Sequence, residues 1–170
     1  MVKNQTNEKQ LIVVAGVTGS GKSTFSSAFK NSFLRSLPLL SLDKGLASDS
    51  SFYVETNLSN ASQFSYFEKA KDLGYKITVY YLFTGKQLSI ARARLREAAG
   101  GEHFEEGLFK KSYEASYKGL TSVFSVADVI FLLRNQKSLD FVTAFQPSNG
   151  DIDTFSKMVK RLKSEVDSIS

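Results

Sequence analysis

The chain contains no cysteine, which removes disulfides, thiolate zinc sites and thiolate catalysis together. Proline occurs only at Pro38 and Pro147, so punctuation falls to glycine and serine. No apolar run approaches the roughly 20 residues a membrane helix needs. The longest, Ile77 to Phe83, holds two tyrosines and a threonine and reads as a strand. The polar first ten residues lack a signal-peptide core, so a cytoplasmic location is expected, with no membrane partner. Repeats, low-complexity tracts and Pro/Gly-rich linkers are absent too. Charge of one sign is only mildly in excess: 22 Lys+Arg against 17 Asp+Glu, or +5 with His103 neutral. That balance favours anionic ligands without naming one. No aromatic-interleaved basic stripe or reader motif is present, so nucleic acid is not an expected partner.

What is present suits one domain over residues 1–170, with 42% hydrophobic residues and a sizeable core. Gln10 to Ala15 is a β-branched run too short for a helix, and it ends in a glycine-rich turn. Phe25, Ala28, Phe29 and Phe33 then follow with helical spacing. Short strands are predicted at Leu37 to Leu42 and Phe52 to Val54. A helix is predicted over Ala61 to Leu73, stopped by Gly74. Lys76 to Phe83 reads as a strand buried on both faces. Two helical stretches follow, Gln87 to Ala99 and Glu106 to Val123, separated by Gly100-Gly101. Asp128 to Leu133 is another apolar strand, and Phe141 to Gln146 extends an edge. From Asp151, a stripe of Phe155, Val159, Leu162, Val166 and Ile169 predicts a docking helix over about 151–169. Strands alternating with helices imply a mostly parallel α/β sheet with helices on both faces, binding ligands at the strands' carboxyl ends.

Gly16-Val-Thr-Gly-Ser-Gly-Lys-Ser23 matches G-x-x-x-x-G-K-[ST] between a strand and a helix. Gly16, Gly19 and Gly21 allow the backbone to turn successive N–H groups inward as an anion cradle. The helix adds its positive end. Thr18, Ser20 and Thr24 complete the candidate nucleotide-binding stretch. Lys22 can reach the β and γ phosphates of ATP, and the Ser23 hydroxyl can ligate Mg²⁺. Neither Asn-Lys-x-Asp nor Leu-Ser-Gly-Gly-Gln occurs, which disfavours a GTPase and a transport-type ATPase. A small kinase-like domain or an ATP-binding switch remains.

A kinase needs a carboxylate near the acceptor hydroxyl and cations around the phosphoryl group. Asp43 and Glu55 each follow an apolar run and would emerge on the P-loop side. A loop or capping carboxylate is the alternative for each. Arg92 and Arg96 share a helical face. With the Gly100-Gly101 hinge and Lys110-Lys111 they would form a lid over about 92–120, the alternative being an exposed basic hairpin. His103 has no companions for a metal site.

Taken together, these residues resemble the small chromosomal branch of the zeta toxin family, P-loop kinases related to UDP-N-acetylglucosamine kinase. The likeness extends from Leu11 to Asn135. Beyond the P-loop it rests on Ser51-Phe-Tyr-Val-Glu55-Thr56-Asn-Leu58-Ser59, Ala70-Lys71-Asp-Leu-Gly74-Tyr75, Arg92-x-x-x-Arg96-x-x-x-Gly100-Gly101, Tyr113-Glu114 and Ala127-Asp128. The resemblance implies a three-layer P-loop NTPase fold with a five-stranded sheet, using ATP and Mg²⁺. It implies Asp43 as catalytic base, Glu55 and Thr56 near substrate, and Lys22, Arg92 and Arg96 around the phosphoryl group. It places Asn135 on the adenine side, and it implies a nucleotide sugar or phosphorylated metabolite as acceptor and an antitoxin protein as partner. The chain departs from the family pattern at Ser41, Glu102, Lys110-Lys111-Ser112 and Ala115, and only 11 residues separate Asp43 from Glu55. Lysine in place of arginine forfeits bidentate phosphate geometry. Two alternatives therefore stand beside the nucleotide-sugar kinase: an ATP-binding regulator with little turnover, and a kinase for another small hydroxyl compound.

Overall fold

The computed structural model describes residues 8–32 and 34–169, so Phe33 and most of the polar arm lie outside the described residues. Five strands form one sheet in the order β2-β1-β3-β4-β5. They span Gln10–Ala15 (β1), Phe52–Thr56 (β2), Lys76–Phe83 (β3), Val129–Asn135 (β4) and Leu139–Phe145 (β5). The first four run parallel, and β5 returns antiparallel on the β4 edge, with a register irregularity at Leu132/Leu133. The helices are Lys22–Phe29 (α1), Leu42–Ala47 (α2), Gln63–Asp72 (α3), Lys86–Ala98 (α4), Glu106–Val123 (α5) and Ile152–Ser168 (α6). This is the α/β sheet expected.

Burial explains the central strands. Leu11, Val13 and Ala15 of β1 enter one core while Ile12 and Val14 enter the other, so no side of the strand faces water. The first core is covered by α2, α3, α5 and α6, and the second chiefly by Phe25 of α1 and Leu34. Helices thus lie on both faces, unequally. Phe155, Val159, Leu162 and Val166 seat α6 as the stripe predicted, and Asp151 caps it by accepting from the Asp153 and Thr154 N–H groups. Removing a ring such as Phe155 would cost about 3–5 kcal/mol. Gly74 ends α3 in a left-handed conformation at φ 79°, with Gly74 N–H on Lys71 O and Tyr75 N–H on Ala70 O.

Three expectations change. The strand over Leu37 to Leu42 reduces to a single bridge between Leu39 and Tyr53. Pro38 has no N–H to extend it, and Ser41 instead opens α2 from an extended backbone. Helix α1 stops at Phe29, giving way to turns. The glycine pair forms a capped helix end rather than a hinge. Gly100 sits at φ 86°, its N–H on Glu97 O and the Gly101 N–H on Arg96 O.

The site is positioned by strand order. β2 and β3 flank β1 on opposite sides, so the chain direction across the sheet reverses at β1. Such switch points open a crevice at the carboxyl ends of the strands, and residues 16–23 fill it.

Candidate functional site: a phosphate cleft joined to an acidic cleft

Gly16, Gly19 and Gly21 adopt φ of 147°, 81° and 92°. Space explains two of them further. A Cβ at Gly19 would lie 2.4 Å from the Ser89 carbonyl of α4, and one at Gly21 would lie 2.5 Å from the Asn135 amide. The loop is therefore pressed between α4 and the end of β4, and α1 begins at Lys22 directly behind it. A cleft of about 630 Å³ opens over it, lined by Thr18, Gly19, Lys22, Ser23, Thr24 and, from α4, Arg96.

Lys22 Nζ donates to the Gly16 and Val17 carbonyls at 2.7 and 3.0 Å. Burial pulls its pKa down to about 8, Glu55 pushes it up and Arg96 pulls it down again. The ammonium is thus desolvated and hydrogen-bonded to two carbonyl oxygens, with Glu55 as a nearby opposite charge, a state that an arriving triphosphate would relieve. Ser23 Oγ donates to Glu55 Oε2 at 2.7 Å. Glu55 is the penultimate residue of β2, in register with Val14, so the strand beside the P-loop strand delivers a carboxylate to the P-loop hydroxyl. Hydroxyl plus carboxylate is the hard-oxygen pair that holds Mg²⁺ beside phosphate in P-loop proteins. The donor set fits that ion. The sequence marked Glu55 as near substrate but could not show its neighbour strand.

Arg92 lines the phosphate cleft too, but its guanidinium is engaged by carbonyls. Its guanidinium donates to Gly19 O and Asn135 O, both at 3.4 Å, and to Gln136 O at 2.9 Å. Asn135 Nδ2 in turn donates to Ser20 O at 2.7 Å. Thr84 Oγ1 bonds the Asn135 carbonyl at 3.1 Å. Arg92 and Asn135, expected around the nucleotide, fasten the loop to the end of β4, with Arg92 also on the cleft wall. Arg96, on the same face of α4, is half exposed and meets only Glu102 at 3.8 Å. Of the two α4 arginines on the cleft wall, it is the one whose guanidinium is not tied to backbone carbonyls.

A second cleft, of about 560 Å³, shares Glu55 with the first. Asp43, in the first turn of α2, opens onto it beside Asn60, Gln63 and Tyr66. Asp43 is exposed, and its pKa is lowered first by a hydrogen bond with the Ser41 side chain and then by the Lys44 N–H. α2 is docked through Gly45, where a Cβ would lie 2.1 Å from the Phe52 ring.

Several expected residues are placed elsewhere. Thr56 is buried, giving its hydroxyl to Gln63 Oε1 at 2.8 Å and accepting the Leu58 N–H at 3.0 Å, and it lines neither cleft. The Ser20 side chain faces inward. Lys110 pairs with Glu106, as does Arg94, and Lys111 lines neither cleft. Within the expected lid over 92–120, α5 packs its inner face into the core. Phe109, Tyr113, Ser116, Tyr117 and Leu120 of α5 are buried, and Tyr81 and Ser116 share a hydrogen bond of 2.7 Å. Among the described residues no group of three or more His, Cys, Asp and Glu is arranged to hold a metal, and no helix is long and apolar enough to cross a membrane. His103 Nδ1 lies 2.5 Å from Glu97.

Solved structures share this architecture. A chain from the PezAT chromosomal toxin–antitoxin system of Streptococcus pneumoniae superposes with a TM-score of 0.66 at 11% identity, covering 95% of this chain and 86% of that one. A gluconokinase from Sinorhizobium meliloti 1021 aligns at 12% identity over 95% of both chains, with a TM-score of 0.38. A shikimate kinase from Bacteroides thetaiotaomicron aligns at 14% identity over 92% of this chain and 98% of that one, also at 0.38. Those two superpositions are too loose to argue from. No protein-family model and no curated protein matches the chain. The chain has a P-loop kinase-like fold.

Proposed function

We propose that the protein is an ATP-dependent kinase that phosphorylates a hydroxyl of a small molecule. The observation that carries this reading is the junction at Glu55, where a P-loop cleft and a carboxylate-lined cleft meet. Lys22 and Arg96 supply positive charge on the phosphate side, and Asp43 supplies a carboxylate on the other. In transfer, the bond from the γ-phosphorus to the β–γ bridging oxygen breaks and that oxygen leaves with the electron pair on ADP. A bond forms from phosphorus to the acceptor oxygen, whose proton passes to Asp43 and then to water. A loose transition state demands little base strength, so a carboxylate held below its usual range can orient the hydroxyl and accept its proton late. Ser23 and Glu55 would hold Mg²⁺, which neutralises charge across the β and γ phosphates when bound. Lys22 would turn from its two carbonyls to phosphate, while Arg92 keeps the loop in place.

The zeta toxin resemblance suggests a nucleotide sugar as one candidate acceptor and an antitoxin as partner. The superposition on the PezAT chain accords with such an origin. The regulator alternative draws on the lysines that stand where the family carries arginines and that face away from the cleft.

The test is acceptor-dependent ADP release with ATP and Mg²⁺, in wild type, Lys22→Met and Asp43→Asn. Turnover lost in both variants supports the kinase. Calorimetric ATP binding without turnover on any acceptor favours the regulator. No ATP binding at all overturns both.

A further inference from the structure

The charge around the second cleft bears on what it accepts. Asp43 and Glu55 line it, and no lysine or arginine does among the described residues. Its other polar groups are neutral. Asn60 Oδ1 accepts from both the Ser62 N–H at 3.0 Å and the Ser62 hydroxyl at 2.9 Å. Gln63 Oε1 accepts from Thr56. Each amide oxygen is engaged, leaving the two NH₂ groups as donors. Tyr66, 37% exposed, adds an aromatic ring at the rim. Carboxylate acceptors, amide donors and a ring are the complement of vicinal hydroxyls on an apolar carbon frame.

The cations nearby are already committed. Lys22 and Arg96 face the phosphate cleft, Arg92 is tied to three carbonyls, and Arg94 and Lys110 are paired with Glu106. Lys44 follows Asp43 along α2 but does not line the cavity. A diphosphate or carboxylate brought here would meet Asp43 and Glu55 with no cation on the cleft wall, since Lys44 beside Asp43 and Lys22 beside Glu55 lie outside it, and like charges repel.

Resting on the kinase reading, the geometry points to an acceptor class: a polyhydroxyl compound without any anionic group, whose affinity rises when it carries an ammonium. This acceptor class departs from the nucleotide sugar that the family resemblance suggests, because no lysine or arginine lines the cleft. Asp43 and Glu55 together set this specificity, and Asn60 and Gln63 orient the hydroxyls.

A charge series on one ring tests it directly. Amide chemical shifts of isotope-labelled full-length protein are followed during titration with glucose, glucosamine, glucose 6-phosphate and UDP-N-acetylglucosamine, with ATP·Mg²⁺ titrated separately into the same sample. Shifts at residues 39–43 and 60–66 are expected with glucose and, about two- to fivefold more tightly, with glucosamine. The glucosamine advantage shrinks as salt rises. The two anionic probes leave those amides in place. Asn60→Lys should gain glucose 6-phosphate binding and lose the glucosamine preference. Anionic probes that shift the same amides at equal or lower concentration overturn the assignment, and so does silence across the series. Failure here with ATP still bound leaves the kinase standing, whereas failure of ATP·Mg²⁺ to bind removes the kinase itself.

Discussion

The two clefts that meet at Glu55 are built in opposite ways. The phosphate cleft is built around one continuous stretch, residues 18–24, which gives half its wall, and Lys22, Arg92 and Arg96 bring positive charge to it. The acidic cleft is gathered from three separated stretches, 39–43, 54–55 and 60–66, with no basic residue on its wall. One binds charge through backbone conformation and a helix start, which sequence encodes locally. The other binds shape through side chains that only the pairing of β2 with β1 and the docking of α2 bring together. Opposite charge on adjacent walls suits the proposed pairing of a polyanionic donor with an uncharged acceptor, and Glu55, the carboxylate beside Ser23, borders both clefts.

The strongest way to break this contrast is Lys22→Met. It should lower kcat/KM by about 10³-fold, the scale of losing a main electrostatic contact to the transferring group. The ATP-free protein should melt no lower than wild type, because a desolvated ammonium is removed. Asp43→Asn comes next, with kcat down about 10²-fold or more and ATP affinity unchanged, since the residue lines only the acidic cleft. Equal loss of ATP binding in that variant would show the clefts are not separate.

Arg92→Ala and Arg96→Ala should split. Arg96→Ala is expected to cost about 10²-fold in turnover with little change in melting, while Arg92→Ala should lower stability by about 1–3 kcal/mol because the carbonyls of Gly19 and Gln136 lose its donors. Gly45→Ala should destabilise by about 1–3 kcal/mol through the clash with Phe52 and lower turnover further by displacing Asp43. ATP binding would survive it.

The smallest effect is that of pH. Lys22 titrates near 8 in the free protein, and triphosphate favours its charged form, so ATP affinity is full below that pH and falls above it by up to about tenfold per unit. Stability of the free protein moves the other way. Between about 8 and the ordinary lysine value of 10.5 the unfolded chain binds the extra proton, so stability rises with pH. Calorimetry and denaturant titration from pH 7 to 10 would read both slopes.

The same division governs what the sequence made legible. The P-loop, the Gly74 stop and the α6 stripe are local patterns, and each forms as its residues suggest. The apolar run ending at Leu42 looked like a strand because apolarity alone does not separate a strand from a helix start. Ser41 and Asp43 decide it, as N-cap and first-turn acid. Gly100-Gly101 has one sequence for two outcomes, hinge or capped terminus, and hydrogen bonds back to Arg96 and Glu97 select the cap. Arg92 could be placed on the same helical face as Arg96, but not onto three carbonyls contributed by residues 19, 135 and 136. Asn60, Gln63 and Tyr66 gave no signal at all. A polar helix start looks the same whether it faces solvent or a neighbouring cavity.

A structure with a non-hydrolysable ATP analogue, Mg²⁺ and glucosamine tests the two-cleft account most directly. It should show the γ-phosphate between Lys22 and Arg96, the metal beside Ser23 and Glu55, and a sugar hydroxyl in line with phosphorus against Asp43. A γ-phosphate directed away from Asp43, or a nucleotide seated outside residues 16–24, would contradict it.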